Sequence, residues 1–163
     1  QQTDMPMGAY IAASPAVPDD VLYVGTAASE VVAVNWRKGE VVWRYQSDGG
    51  EFPYHASAAV TPERVLIGGR DKQLHCIDRA TGNGVWKFGT RGRIDSSPVV
   101  VGDRVFFGSA DRNFYALSLK DGGELWKYKA RGEISSGPAV GEGYLVVGSE
   151  GSKGEILCFG EKK

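Results

Sequence analysis

The chain has 163 residues, of which 42% are hydrophobic and 24% are charged, a balance typical of one soluble globular domain. A net charge of −1 provides no overall field toward nucleic acid, and no apolar run approaches the ~18 residues of a membrane span. The 23 glycines, together with short runs of valine and aromatic residues, predict many short strands joined by tight turns.

An internal repeat runs along the chain. Tryptophans in similar contexts recur at spacings of 43 and 40 residues, and glycines that end apolar runs recur at spacings of 43, 40 and 40. The tryptophans are Trp43, Trp86 and Trp126, and the glycines are Gly25, Gly68, Gly108 and Gly148. A period near 40 is the size of a four-stranded propeller blade. We predict one propeller segment over residues 1–163, with blades at residues 10–46, 54–89, 93–129 and 133–160.

Blade two illustrates the four strands, A to D, that are predicted for each repeat. Its apolar runs predict strands at residues 55–60, 64–68, 73–78 and 84–88. Turns of Gly, Asp, Asn and Pro separate the strands, because these residues supply the backbone angles that hairpins need. The strand D tryptophan is large enough to fill the gap between neighbouring sheets. A repeated pattern favours a ring of blades over a sandwich, because each blade then meets a similar neighbour.

The C–D turn of blade two resembles a known repeat. Residues 76–86, with Asp78, Thr81, Gly82 and Trp86, are similar to the Ala-x-Asp-x-x-Thr-Gly-x-x-x-Trp signature of the PQQ-like (quinoprotein-like) β-propeller family. Residues 94–100 and 108–117 are similar to the family's strand A and B–C hairpin. The resemblance covers residues 11–159 and implies an all-β propeller of four-stranded antiparallel blades, with about four PQQ-like repeats.

The family resemblance implies a bacterial protein with a periplasmic or extracellular location, while a cytoplasmic location stays open. Its members include quinoprotein dehydrogenases, BamB-type propellers of outer-membrane assembly, and propellers attached to kinases or exported enzymes. The fold does not choose among these functions.

The fourth repeat has three predicted strands and lacks the outer tryptophan strand. The N-terminal segment could supply it, with Thr3 at the tryptophan position, but residues 1–7 have little strand character. Family rings usually have six to eight blades. The remaining blades would therefore come from a longer parent chain, which is the preferred interpretation, or from a second copy that completes an eight-bladed ring. A compact four-bladed ring is the third alternative.

Reactive side chains are few. Cys76 and Cys158 occupy a repeat position that holds alanine in the other blades, so we expect both to be small buried hydrophobic residues. His55 and His75 have no metal-ligand, nucleophile or phosphate-binding motif beside them. The resemblance to quinoprotein dehydrogenases would imply calcium, a carboxylate base such as Asp95 and a disulfide of adjacent cysteines. The chain has no adjacent cysteines, and the repeat equivalents of Asp95 are His55, Ala12 and Ser135. Together with the missing motifs, this predicts no catalytic, cofactor-binding or metal-binding residue.

The loops contain the candidate binding residues. The D–A and B–C connections share one face of a propeller, where blades two to four place the arginines Arg70, Arg91, Arg93, Arg112 and Arg131 among aspartates. The opposite face receives mainly acidic turns, so the two faces are expected to differ in charge. The insertion at residues 47–54, with Phe52 and Tyr54, is a second candidate. Ordinary solvated turns and a loop folded onto its own blade are the structural alternatives.

These features predict a non-enzymatic propeller that acts as a scaffold or binding module for a protein partner, with no cofactor and no nucleic-acid ligand. Two alternatives stay open. The chain could be part of a PQQ-dependent dehydrogenase that lacks the active-site residues, or a sensor propeller fused to a kinase or an exported enzyme.

Overall fold

Antiparallel strands form all the regular secondary structure in the computed structural model, which describes residues 7–48 and 50–160. The first sheet contains β1 (Val21–Gly25), β2 (Glu30–Asn35) and β3 (Glu40–Gln46). The second contains β4 (Ala59–Val60), β5 (Arg64–Gly68), β6 (Gln73–Asp78) and β7 (Gly84–Gly89). The third contains β8 (Val99–Val101), β9 (Arg104–Gly108), β10 (Asn113–Ser118) and β11 (Glu124–Lys129). The fourth contains β12 (Ala139–Gly141), β13 (Tyr144–Ser149) and β14 (Glu155–Gly160).

Each sheet is a meander in which strands adjacent in sequence are paired. This is the arrangement of propeller blades, and the predicted all-β architecture of antiparallel blades is confirmed. Strands β5 and β6 occupy the ranges predicted for strands B and C of blade two. Across the described residues, no helix has the length and apolar character needed to cross a lipid bilayer.

The innermost strand A is shorter than predicted. In blade two it begins at Ala59 and not at residue 55, because the backbone N–H of Ser57 bonds to Ser97 Oγ of the next repeat (2.9 Å) and not to strand B. In blade one, strand A is reduced to a single bridge between Ala16 and Tyr23. Prolines at positions 15 and 18 flank this bridge, and proline has no N–H for a longer ladder.

The core lies between sheets, because both faces of an inner blade are covered. Along β5, Val65 and Ile67 pack toward the first sheet, whereas Leu66 packs toward the third. This alternation is the period of two that a strand imposes on its side chains. Within residues 7–48 and 50–160, the fourth sheet is covered on one face only, where Leu145 and Val147 pack against the third sheet. The outer strand proposed from residues 1–7, including Thr3, falls almost entirely outside the described residues.

Candidate functional site

Backbone hydrogen bonds tie the loops of the predicted binding face to one another. The connection between blades two and three bonds to both neighbouring B–C turns: Ile94 N donates to Gly69 O (3.0 Å) and Ala110 N donates to Arg93 O (2.9 Å). Ile134 N repeats the first bond to Ser109 O (3.2 Å) in the next pair of blades. The side chains of this face therefore project from a fixed backbone.

Three of the five predicted arginines are paired with carboxylates. Arg70 makes a two-pronged contact with Asp95 (2.9 and 3.1 Å), and Arg93 bonds to the same carboxylate (2.9 Å) and to Glu133 (3.1 Å). This chain of charges runs from blade two to blade four. Arg131 pairs with Glu155 of β14 (3.3 Å). Exposed pairs of this kind contribute little stability, but they hold these arginines in place and neutralise them.

Asp95 does not fit the role of a quinoprotein base. Burial alone would raise its pKa, but hydrogen bonds and charge from Arg70 and Arg93 outweigh burial and hold the pKa below its ordinary value. Both carboxylate oxygens are occupied by guanidinium groups. Asp95 is therefore committed to ion pairs with two arginines. Across residues 7–48 and 50–160, no group of three or more His, Cys, Asp or Glu side chains could hold a metal ion.

Arg91 and Arg112 differ from the other arginines of this face. Both are exposed, and in the described part of the chain neither guanidinium has an ion pair or hydrogen bond. They lie beside the same turn of blade three, since Arg91 N donates to Asp111 Oδ2 (3.0 Å) and Arg112 directly follows that aspartate. Arg91 and Arg112 thus form a candidate basic pair at this turn.

The insertion at residues 47–54 is divided between surface and core. The side chain of Phe52 is 45% exposed, and the neighbouring Pro53 O accepts a bond from Arg70 N (3.4 Å). Tyr54, by contrast, is only 1% exposed and packs edge-on against His75, with ring centroids 5.4 Å apart. The prediction that Tyr54 belongs to a binding surface is therefore wrong.

Repeat spacing explains the burial of Tyr54. It stands 40 residues before Ile94, which stands 40 residues before Ile134, and all three side chains are buried. Ile94 and Ile134 cover the glycines that end strand B, and Tyr54 covers the corresponding Gly25. Aligning the insertion with the other repeats from its C-terminal end would have identified Tyr54 as a core residue.

A buried polar cluster around His75 was not predicted. Tyr45 Oη lies 3.1 Å from His75 Nδ1, and His75 Nε2 lies 3.0 Å from Asp71 Oδ2. Asp71 also accepts a bond from Gln73 N (3.1 Å). Burial disfavours the ionised carboxyl, but hydrogen bonding and charge from His75, with the Gln73 amide, hold the pKa of Asp71 below its ordinary value. Burial raises the pKa of Tyr45 to about 12.

Blade three repeats this arrangement with a different ring. Tyr115 stands where blade two has His75, and its hydroxyl donates to Asp111 Oδ2 (2.7 Å). The Asn113 amide donates to the other oxygen of Asp111 (2.9 Å). The sequence signal of this arrangement is an aromatic ring with a polar hydrogen, from His or Tyr, placed four residues after the aspartate of a B–C turn. Both aspartates shape B–C turns, which favours a structural role over a catalytic one.

The opposite face has less excess negative charge than predicted. Asp19 pairs with Arg79, Asp20 with Arg37, and Asp103 lies 3.7 Å from Arg104. These arginines offset the acidic turns, so the difference in charge between the two faces is smaller than expected. The unpaired Arg91 and Arg112 are a local feature of the loop face.

The two cysteines are in different environments. Cys76 is buried, as predicted, and burial raises the pKa of its thiol to about 12. Cys158 is exposed, so the prediction of a buried residue is wrong. Cys76 lies opposite Trp86 of the outer strand, whereas β14, which contains Cys158, pairs only with β13 in the described residues.

The sequence models of two protein families match the chain. The one described as "Outer membrane protein assembly factor BamB" matches residues 53–157. The one described as "Glucose/ethanol/alcohol dehydrogenase, beta-propeller domain" matches residues 1–98. Each covers more than half of the chain, and together they cover residues 1–157.

Known proteins resemble the chain over part of their own length. Quinohemoprotein alcohol dehydrogenase ADH-IIG of Pseudomonas putida is 35% identical over 89 residues, which is 50% of this chain and 12% of that protein. ADH IIB of the same organism is 28% identical over 82 residues, or 45% of this chain and 12% of that protein. The chain thus spans about an eighth of the length of these curated relatives.

Solved structures share the fold. BamB from Moraxella catarrhalis superimposes with a TM-score of 0.81 at 22% identity, over 94% of this chain and 48% of that chain. The computationally designed Ika4 protein superimposes with a TM-score of 0.82 at 14% identity, over 98% of this chain and 99% of that chain. At these identities the likeness concerns the fold alone.

Proposed function

The chain belongs to the PQQ-like β-propeller family, and we propose that it works as a non-enzymatic module that binds a protein partner through the loop face of blade three. The observation that carries the proposal is the pair Arg91 and Arg112, whose guanidinium groups are exposed and unpaired in the described residues. Their neighbours Arg70, Arg93 and Arg131 are all neutralised by carboxylates.

An unpaired arginine on a fixed backbone suits recognition of carboxylates. The planar guanidinium can bond to a carboxylate through two parallel hydrogen bonds, and arginine is enriched at protein interfaces. The Asp111 turn holds the backbone at both arginines, so little backbone freedom is lost on binding. The exposed Phe52, beside the B–C turn of blade two, offers an apolar contact at the same end of the blades. The expected partner surface is acidic with an apolar centre.

Site-specific photocrosslinking tests this proposal. A photoreactive amino acid is placed at residue 52, where both arginines stay intact, with residue 63 on the opposite face as the matched control. In cells of the source organism, position 52 is expected to form a discrete adduct with one protein, which the added substitutions Arg91→Glu and Arg112→Glu remove. Equal adducts from position 63, or an adduct at position 52 that survives both substitutions, would contradict a binding role for these arginines.

The second candidate function is that the chain forms part of a quinoprotein dehydrogenase. The 35% identity to ADH-IIG over 89 residues favours this candidate. A ligand that binds only the folded state must raise the melting temperature. Thermal unfolding is therefore measured with pyrroloquinoline quinone and Ca²⁺ together and separately. A concentration-dependent rise that requires both would favour the dehydrogenase reading over the binding module.

The proposal includes export to the periplasm, which the family resemblance implies. Fractionation of the source cells, followed by detection of the chain with a specific antibody, tests the location. Recovery in the cytoplasmic fraction would contradict it.

A further inference from the structure

The turn that joins β6 to β7 contains an Asn-Gly pair, Asn83 and Gly84, whereas the asparagines at positions 35 and 113 are followed by tryptophan and phenylalanine. The backbone nitrogen of the next residue can attack a side-chain amide and close an imide ring. Glycine hinders this attack least, because it has no Cβ. The sequence therefore distinguishes Asn83 as the asparagine most open to this reaction.

The three asparagine side chains also differ in their hydrogen bonds. Asn113 Nδ2 donates to Asp111 Oδ1 (3.0 Å). Asn35 Oδ1 accepts a bond from Lys38 N (3.0 Å). Asn83 is exposed, and within the described part of the chain its carboxamide has no hydrogen-bond partner. The Asn83 amide is thus free to turn toward the backbone, whereas the other two amides are held.

The backbone N–H of Gly84 lies on the open side of its strand. Asp78 N donates to Asn83 O (2.8 Å), and the next pair in the ladder is Ile77 with Gly84. Hydrogen-bonded and non-hydrogen-bonded pairs alternate in an antiparallel ladder, so Gly84 belongs to a non-hydrogen-bonded pair. Its N–H therefore points away from β6, and β7 is the outermost strand of this sheet.

A cleft between the outer strands of blades one and two opens this nitrogen to solvent. The cleft has a volume of about 430 Å³, and its lining includes Asn83, Gly84, Arg44 and Lys87. Asn83 and Gly84 are both exposed. Hydroxide and water therefore have access to the amide nitrogen and to the side-chain carbonyl that it would attack.

We propose that Asn83 is a modification site at which the folded chain converts its own asparagine into aspartate and isoaspartate. Hydroxide takes the proton from Gly84 N, the nitrogen forms a bond to Asn83 Cγ, and the carboxamide C–N bond breaks to release ammonia. Water then opens the imide. Cleavage between Gly84 N and Cγ gives aspartate, and cleavage between Gly84 N and the main-chain carbonyl gives isoaspartate. Water is the co-reactant, and no electrons are transferred.

Isoaspartate at residue 83 would lengthen the backbone by one carbon between two fixed contacts. On one side, Gly82 lies against the blade one tryptophan, since a Cβ at residue 82 would come within 2.7 Å of Trp43 Cγ. On the other side, Trp86 Nε1 donates to Leu119 O of blade three (3.1 Å). Close-packed contacts do not absorb an added carbon without a shift. Isoaspartate is therefore expected to loosen blade two from a neighbouring blade, whereas aspartate only adds charge.

Peptide mapping by mass spectrometry after incubation of the whole chain at pH 8 tests the site. Asn83 is expected to show the mass gain of an amide-to-acid change, and Asn35 and Asn113 are internal controls that stay unchanged. Incubation in denaturant gives the rate without structure, and the rate in the folded chain is expected to lie within several-fold of it. Conversion of Asn83 no faster than the two controls, or only in denaturant, would overturn the proposal.

The variant Gly84→Ala tests attack by the backbone nitrogen. Conversion of Asn83 is expected to slow at least about tenfold, because the Cβ that glycine lacks shields the nitrogen. This Cβ would lie 3.3 Å from Tyr45 Cε2, a contact that a small movement of the ring relieves. A synthetic peptide of residues 79–89 with the same substitution, compared with the unaltered peptide, measures the effect without folding. Equal rates with and without the substitution would exclude this nitrogen as the nucleophile.

Thermal unfolding separates isoaspartate from the added charge. Methylation of the aged chain by a protein-isoaspartate methyltransferase measures how much isoaspartate has formed. The isoaspartate-containing chain is expected to melt at a lower temperature than Asn83→Asp, which carries the same charge in an ordinary backbone. Equal melting temperatures would show that the longer backbone does not disturb the contacts between blades.

Discussion

The backbone of Gly68 lies directly beneath the side chain of Ile94, so that a Cβ at residue 68 would come within 2.9 Å of Ile94 Cβ. The contact joins the end of strand B in blade two to the connection that enters blade three. Gly108 and Ile134 repeat it one blade later, with a corresponding distance of 2.6 Å. Blade two is thus held to blade three by close packing of backbone against a branched side chain.

Alanine at Gly108 is expected to lower the free energy of unfolding by about 1–3 kcal/mol, the usual cost of overpacking a core. Gly148 is the matched control, because it occupies the same repeat position in blade four and its nearest neighbour is Ser136 Oγ at 3.7 Å. Gly148→Ala is expected to change stability by less than about 1 kcal/mol. Urea denaturation measures both, and equal losses would contradict the packing argument.

Lys72 has left-handed backbone geometry in its B–C turn, with φ = 68°. A side chain in this region costs about 1–2 kcal/mol, and glycine avoids that cost while losing somewhat more chain entropy on folding. Lys72→Gly is expected to stabilise the chain by about 0.5–1 kcal/mol. Lys120→Gly, in an exposed turn without positive φ, is expected to destabilise it. If both substitutions lower the melting temperature, the left-handed backbone at Lys72 does not cost stability and the prediction is wrong.

Asp111 makes folding sensitive to acid. Burial raises its pKa, but hydrogen bonds from the Tyr115 hydroxyl and from the Arg91 and Asn113 amides outweigh burial and lower the pKa below 3.8. The stabilisation is complete above pH 3.8 and is lost as the pH falls through the lower folded pKa. Asp111→Asn is expected to cost about 1–3 kcal/mol at pH 7, and this difference should shrink below about pH 4.

Denaturation of both proteins between pH 3 and pH 7 checks the dependence on Asp111. The exposed Asp103 provides the control, and Asp103→Asn is expected to leave stability within about 0.5 kcal/mol at every pH. A pH-independent difference between Asp111→Asn and the wild type would show that charge on Asp111 does not matter.

The two thiols are expected to react at very different rates. Cys158 is exposed, whereas Cys76 is buried and burial raises its pKa to about 12, so almost no thiolate exists at pH 8. Iodoacetamide at pH 8 should therefore modify Cys158 in the native chain and modify Cys76 only after denaturant is added. Peptide mass spectrometry distinguishes the two sites. Native labelling of Cys76 at a comparable rate would contradict the buried position.

The amino-acid sequence by itself determined the blade architecture. Trp43, Trp86 and Trp126 and the strand-ending glycines recur at a nearly constant period, and the short apolar runs predict β5 and β6 at their observed bounds. These signals are local, because turn geometry and alternation of side chains depend on residues close in sequence.

Only the tertiary structure decided which of the predicted site residues are exposed and unpaired, and so able to contact a partner. Arg70 is neutralised by Asp95 and Arg93 also by Glu133, partners up to 40 residues away, whereas Arg91 and Arg112 stay unpaired in the described residues. Cys158 is exposed because its strand pairs on one side only within that region. Burial and charge pairing depend on which blade lies next to which, and a single repeat contains no information about its neighbour.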